Sequence, residues 1–521
     1  MSIFKRSIYT WFVILISVQA NGQETADRLR DITGNPTLKT YGLQYAKEVK
    51  EYYILTNYQF SWLTNTGHSN ITILSDYISN AAQSGLEPGD YQPALFQALA
   101  GKGIYPANPE DSLLAELKIT DAAIHFIHDL LMGNNPEPLG YNGIKIPDTC
   151  FNVPALLNSY LVHNRFPVMV RELEFKQKEF VSVKDLLNRF QQVTAETDFK
   201  DAVIISSDAG NENKPLFTRL YQLGLIQSDT VILKDADLKE KIKKAQDMFG
   251  LPQDGILKSR TLGAFNVPFS ARISELAFTL NTLRWLHCIK QNQHIIVVNI
   301  PSASLLVYEH GKIVLESRII AGKRSTPTPT LSSTITEVIL YPYWNVPYKI
   351  ATRELLPAIK RNPAYLDANN YQVLNLEGKV TDPKKVNWLA LSTKYFPYVI
   401  RQSTGCDNAL GLIKLNFFNP FTVYLHDTPG KNLFRSNSRF FSHGCMRVEN
   451  AMETGRYVLQ GNSIAIDTLT EKGCINNQSP ITVTATENIP VFVLYHTAWM
   501  DSESTIRFYE DVYNRIPKLR K

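Results

Sequence analysis

Apolar positions along this chain repeat with two different periods, and the change falls near His294. From about Asp27 to Leu139 they return every three or four residues. Leu74, Ile78 and Ala81 share one helical face, and Ile119, Ala122, Ala123, Phe126 and Leu130 share another. Gly85-Leu86-Glu87-Pro88-Gly89-Asp90 and Gly133-Asn134-Asn135-Pro136 read as turns between helices. The helical pattern continues through 150–230, with short β character at Val203-Ile204-Ile205. Leu238 to Phe249 predicts a helix with Ile242, Ala245 and Phe249 inward. After a Gly250–Gly255 turn, a second helix capped by Ser259 runs to Phe265. Arg272 to His287 predicts an amphipathic connecting helix.

Beyond His294 the chain reads as strands. Ile295 to Ile300 is a buried strand, and Leu305–Tyr308 and Ile313–Leu315 flank a His310-Gly311 hairpin turn. Further strands are expected at Thr334–Leu340, Phe421–Leu425, Ile481–Ala485 and Val491–Tyr495. A Pro- and Lys-rich stretch from Pro347 to Arg401, with a helical piece at Thr352–Lys360, interrupts them. An insertion this long in a β domain reads as a lid over a site. Val448 to Leu459 predicts a helix ended by Gly461. The expected fold class is therefore multidomain α+β. It comprises a helical scaffold at 27–230, a small helical module at 238–268, a connecting helix at 272–292, a mostly-β domain at 293–500 with a 347–400 insertion, and a tail at 501–521.

The 521 residues exceed one ordinary core, which agrees with several domains. Residues 1–22 read as a secretory signal: Lys5 and Arg6 precede an apolar run, Ile8 to Val18, too short for a comfortable span, and small residues follow at Ala20 and Gly22. An uncleaved N-terminal anchor is the alternative. No cysteine follows the run to carry a lipid, and no later stretch is apolar enough to span a membrane. The formal charge of +5, two of it from Lys5 and Arg6, is too weak and dispersed to argue for nucleic acid. The five cysteines, Cys150, Cys288, Cys406, Cys445 and Cys474, are an odd number, so an exported chain keeps at least one thiol free.

The candidate chemistry concentrates at Ser442-His443-Gly444-Cys445-Met446-Arg447, with His426-Asp427-Thr428-Pro429 upstream. A thiol reacts as thiolate, and a histidine or a following helix N-terminus lowers its pKa. His426, closing an expected strand, is the candidate base. Gly444 permits a turn whose N–H groups stabilise an oxyanion, His443 falls on the side of Cys445, and Arg447 offers a permanent charge to a substrate carboxylate. This points to acyl transfer through a cysteine thioester. Other readings are a buried structural cysteine, a zinc site from His426, His443 and Cys445, and a redox thiol partnered by Cys406. His125 and His128, one turn apart on a helix, read as an ordinary helix surface.

Ser442-His443-Gly444-Cys445-x-Arg447 with His426 resembles the active-site signature of the L,D-transpeptidases with a YkuD-type catalytic domain. Tyr343-Trp344-Asn345-Val346-Pro347, Arg401-Gln402, Asn408-Ala409-Leu410-Gly411 and Thr497-Ala498-Trp499 resemble the large subgroup of Gram-negative envelopes, and 238–266 resembles a peptidoglycan-binding module. The resemblance implies cross-linking of peptidoglycan stem peptides 3→3, with Cys445 as nucleophile, His426 as proton shuttle, and His443 and Gly444 in the catalytic loop. Arg447, Ser442, Tyr424, Trp344 and Asn345 would hold substrate, and the 347–400 insertion would cap it. It implies a periplasmic location, acylation by carbapenems, other cell-wall synthases as partners, and no metal or organic cofactor. Resolution of the acyl-enzyme by water or a free D-amino acid, or a non-catalytic scaffold, are the competing functions. Cys406 stands where the family pattern has proline, which brings a possible inhibitory disulfide into view.

Overall fold

The structure is a computed structural model; it describes residues 24–34, 41–64, 67–102, 108–134, 138–145, 150–205, 213–462, 466–467 and 478–516. The expected signal at 1–22 and Cys474 lie outside the described residues. The chain divides into two compact units, one from 1–136, 147–201 and 267–288, the other from 137–146, 202–266 and 289–521.

The first unit is helical and is built on Pro109–Met132. Asn108 caps that helix by accepting the Asp111 N–H at 2.8 Å, and Pro109 occupies the first turn, where its missing N–H costs nothing. Ile119, Ala122, Ala123, Phe126 and Leu130 are all buried there, as their spacing predicts, together with Trp62, Tyr53, Tyr91 and Phe166. Glu116 is buried too, and its carboxylate accepts the N–H groups of Ser61, Trp62 and Leu63, holding an irregular segment that has no ladder of its own.

Two expectations change in this unit. His125 and His128 are not surface residues: both ring nitrogens lie 3.1 Å from carboxylate oxygens of buried Asp129, and the Tyr45 hydroxyl lies 2.9 Å from His128 Nδ1. The helix Phe269–Asn292 is buried around most of its circumference, so it is not amphipathic. Its polar residues are bonded inside: Arg284 donates to the carbonyls of Leu130 at 3.0 Å and Ser84 at 2.7 Å, and burial pushes its pKa down to about 10. Cys150 and Cys288 form a disulfide in this unit, across a sequence separation of 138.

The second unit holds β1 (Tyr141–Asn142), β2 (Ile295–Asn299), β3 (Ser304–Glu309), β4 (Lys312–Gly322), β5 (Leu331–Leu340), β6 (Trp344–Asn345), β7 (Tyr371–Leu374), β8 (Val380–Thr381), β9 (Val399–Gln402), β10 (Ile413–Phe417), β11 (Leu425–His426), β12 (Phe440–Ser442), β13 (Met446–Val448), β14 (Ile481–Leu494), β15 (Ala498–Met500) and β16 (Ile506–Phe508). The main sheet runs β1-β5-β10-β11-β13-β4-β3-β2-β14, and β14 pairs β5 in turn, so the ladder closes on itself. Ile296, Val298, Leu305, Val307, Ile335, Val338, Ile413, Leu415, Leu425, Met446, Val491 and Val493 form its core. The helix Ala451–Leu459 adds Val458 and Leu459 to that core.

The insertion has a core of its own, from Val346, Ile359, Leu366, Val373, Trp388 and Ile400, and a four-stranded sheet ordered β6-β9-β7-β8. Residues 202–266 group with the β unit. Val203–Ile205 forms no strand; the side chain of Asn266 takes the place of a partner strand, accepting the Ile204 N–H at 2.8 Å and donating to its carbonyl at 2.9 Å. Ser259 is the first helical residue and caps nothing. The turn before it is held by Gln246, whose Oε1 accepts the Gly255 N–H at 2.8 Å.

Candidate active site

Three adjacent strands build the site, and their alternation decides which side chains meet. In β11 and β13, Leu425 pairs Met446 toward the core, so the next pair, His426 and Arg447, faces the other way. On the other side of β11, Lys414 pairs His426. Tyr424 and Cys445, each two residues back, lie on the same side as His426 and Arg447. The Lys414 ammonium sits 4.2 Å from the centre of the Tyr424 ring, and that ring is 5.6 Å from the His426 ring.

His426 is buried, and its Nδ1 lies 2.6 Å from the Asp427 carbonyl oxygen. A carbonyl only accepts, so Nδ1 carries the proton and Nε2 is left as the base. Burial first, and then the charge of Arg447, push the imidazole pKa down to about 3. Asp427 is itself fixed. Its carboxylate accepts the Leu412 N–H at 3.0 Å and Lys431 Nζ at 2.7 Å.

Cys445 is the free thiol among the described cysteines. Burial raises its pKa; the Tyr424 N–H and hydroxyl, then Lys414 and Arg447, act against that rise. The expected influence of a helix N-terminus is absent. Cys445 leads into β13, and the helix expected from Val448 starts only at Ala451. The two shifts favour the neutral forms of the thiol and the imidazole.

The loop that leads to Cys445 is held from within. Ser442 Oγ donates to the Cys445 carbonyl at 2.5 Å and accepts the Gly444 N–H at 3.1 Å. Thr328 Oγ1 donates to the Gly444 carbonyl at 2.8 Å. Ser442 is buried, and its hydroxyl engages the Gly444 N–H. Gly444 is needed for its backbone, which sits at φ 120°.

His443 points outward. Its Nε2 lies 2.8 Å from Glu354 Oε1 and 3.4 Å from Lys323 Nζ, tying the loop to the insertion. Trp344 and Asn345 sit on the small sheet, paired with Gln402 and Arg401, and not on the face that carries the thiol. The strand expected at Phe421–Leu425 is only Leu425–His426; Thr422 at φ 55° breaks it. Cys406 is disulfide-bonded, its partner lying outside the described residues, so it is no resolving thiol. His426, His443 and Cys445 do not converge as metal donors.

Sequence reasoning missed Lys414 and Glu354. Lys414 was findable: Ile413-Lys414-Leu415-Asn416-Phe417 alternates apolar and polar residues, the signature of a half-buried strand. Lys414 and Arg447 are both partly buried, burial lowers both their pKa values, and among the described residues neither has an ion-pair partner. Nothing local signals Glu354, which reaches His443 only through the folded insertion.

Comparison with known proteins gives matches in both parts of the chain. Residues 293–466 match the family model of the L,D-transpeptidase catalytic domain, and residues 47–187 match that of the Scaffold domain. Residues 293–466 are thus similar to L,D-transpeptidase catalytic domains. A relative from Haemophilus influenzae, named "Putative L,D-transpeptidase", is 36% identical over 219 residues, covering 42% of this chain and 44% of the relative, so the match spans less than half of either. Two solved structures are similar at low level. The Ldtfm–avibactam carbamoyl enzyme has a TM-score of 0.17 and 14% identity, covering 39% of this chain and 49% of its own. The L,D-transpeptidase (Yku) from Stackebrandtia nassauensis has a TM-score of 0.20 and 15% identity, covering 57% and 97%. Both likenesses are too low to speak for the fold. In the catalytic domain, the matched range takes in every residue from Lys414 to Arg447 described above.

Proposed function

We propose that this chain is a peptidoglycan L,D-transpeptidase that forms 3→3 cross-links through a cysteine thioester on Cys445. The observation that carries the reading is the one free thiol among the described residues, on the same sheet face as a buried histidine whose Nδ1 is held by the Asp427 carbonyl. Cys445 Sγ attacks the carbonyl of the third residue of a donor tetrapeptide while its proton passes to His426 Nε2. The C–N bond to the fourth residue breaks, that proton goes to the leaving amine, and D-Ala departs. The side-chain amine of an acceptor's third residue then attacks the thioester, loses a proton to His426, and forms the new amide as the thiol is restored. Arg447 and Lys414, without protein counter-ions among the described residues, suit the substrate carboxylate and the developing oxyanion. We place this activity at the periplasmic face of an envelope, with carbapenems acylating the same sulfur.

The experiment is mass spectrometry of wild type and Cys445→Ala incubated with disaccharide-tetrapeptides. A dimer lighter than two monomers by one alanine, formed only when Cys445 is present, is the expected result. Tripeptide alone indicates a carboxypeptidase. The absence of any product, with no carbapenem adduct on Cys445, overturns the catalytic reading.

A further inference from the structure

His294, Glu309 and His310 lie together in the second unit, at the end of the β2–β3 pairing and the β3–β4 hairpin turn. Each offers a metal-type donor atom, and the three atoms all lie within 4.8 Å of one another. It is the one group of three or more His, Cys, Asp or Glu donors that converges among the described residues. We propose that these residues bind a divalent transition-metal ion of the zinc type, at a site separate from Cys445.

The backbone places the donors without depending on long flexible side chains. Ile295 pairs Tyr308 in the antiparallel ladder, so His294 and Glu309 are the next cross-strand neighbours, with His294 Nε2 3.8 Å from Glu309 Oε1. His310 and Gly311 both have positive φ, 46° and 77°, the conformation of a tight two-residue hairpin turn. That turn brings the His310 ring to 5.2 Å from the His294 ring, edge to face. Two imidazoles and a carboxylate are the donor set zinc takes when one position is left to water. Tetrahedral coordination needs donors roughly 3.4 Å apart. Side-chain rotation at Glu309 and exposed His310 closes the remaining gap.

A supporting contact is already present. Gln460 Nε2 lies 3.2 Å from His294 Nδ1, the nitrogen that faces away from Glu309. When Nε2 ligates a metal, Nδ1 carries the proton and needs an acceptor. A half-turn of the Gln460 amide supplies its oxygen, which is the outer contact that orients metal-bound histidines. No carboxylate or thiol of the catalytic face takes part.

The test uses the full chain without an affinity tag, in a Cys445→Ala background so that the catalytic thiol does not compete. Zn²⁺ is titrated calorimetrically, and Co²⁺ is added as a spectroscopic probe. The expected result is one saturable equivalent, with visible Co²⁺ bands of tetrahedral intensity. His310→Asn is the main variant, because asparagine keeps the left-handed turn conformation while removing the imidazole. It abolishes the Co²⁺ bands, and Gln460→Ala weakens Zn²⁺ binding about tenfold. The proposal is overturned if binding is not saturable, or if His310→Asn and His294→Ala bind Zn²⁺ as tightly as the parent. Circular dichroism of each variant shows whether it is folded.

Discussion

Gly411 and Asp427 are in contact so close that no other residue fits at position 411. A Cβ there, at φ 63°, would overlap the Asp427 carboxyl group. Asp427 in turn holds His426 through its carbonyl. Gly411→Ala therefore displaces the group that fixes the imidazole tautomer, although it alters no residue of the reacting set. The expected outcome is a loss of kcat of at least about tenfold, the sort of cost a small misplacement carries, with thiol alkylation by iodoacetamide retained. A variant with unchanged kcat refutes this positioning role.

The Cys445 thiol is raised by burial and held back chiefly by Tyr424. Tyr424→Phe removes the hydroxyl and keeps the ring, so the midpoint of the pH–alkylation curve moves up. Lys414→Met, which removes a smaller opposing influence, moves it less. A midpoint that falls or stays fixed in Tyr424→Phe contradicts this account of the thiol.

His426 titrates at about 3 in the fold, against about 6.5 for a free imidazole. The unfolded chain therefore binds more protons between those values, and stability rises with pH across that window. The stabilisation is complete above about pH 6.5 and is lost as pH falls toward 3. At pH 4 the loss from this residue is about 3 kcal/mol. His426→Gln, which does not titrate, is expected to lose that much less between pH 7 and pH 4 in urea unfolding. Equal losses in both proteins rule out the buried neutral imidazole as the cause.

Removing the Cys150–Cys288 bond takes from the helical unit a cross-link between residues 138 positions apart. The double substitution Cys150→Ala/Cys288→Ala is expected to destabilise that unit by about 2–5 kcal/mol and to leave the alkylation rate of Cys445 unchanged. Thermal unfolding followed by circular dichroism reads the first, and mass spectrometry the second. A stability within error of wild type sinks the prediction.

The sequence by itself determined the division into a helical part and a β part, because hydrophobic period is a local property. Ile119 to Leu130 and Ile295 to Ile300 are buried where their spacing puts them. It also singled out Cys445 and His426 as candidates, since a thiol, a glycine and two histidines in one short motif have few other uses. Several roles were decided only by tertiary structure. Ser442 and Gly444 bond each other within the loop. His443 turns to Glu354, 89 residues away in the chain. Lys414 reaches the thiol's neighbourhood through strand pairing. The stretch Arg272 to His287 reads as amphipathic in sequence, yet its polar Asn281 and Arg284 are bonded in the interior. A polar residue is written the same way in sequence whether water or a buried carbonyl satisfies it, and only the packed chain distinguishes the two.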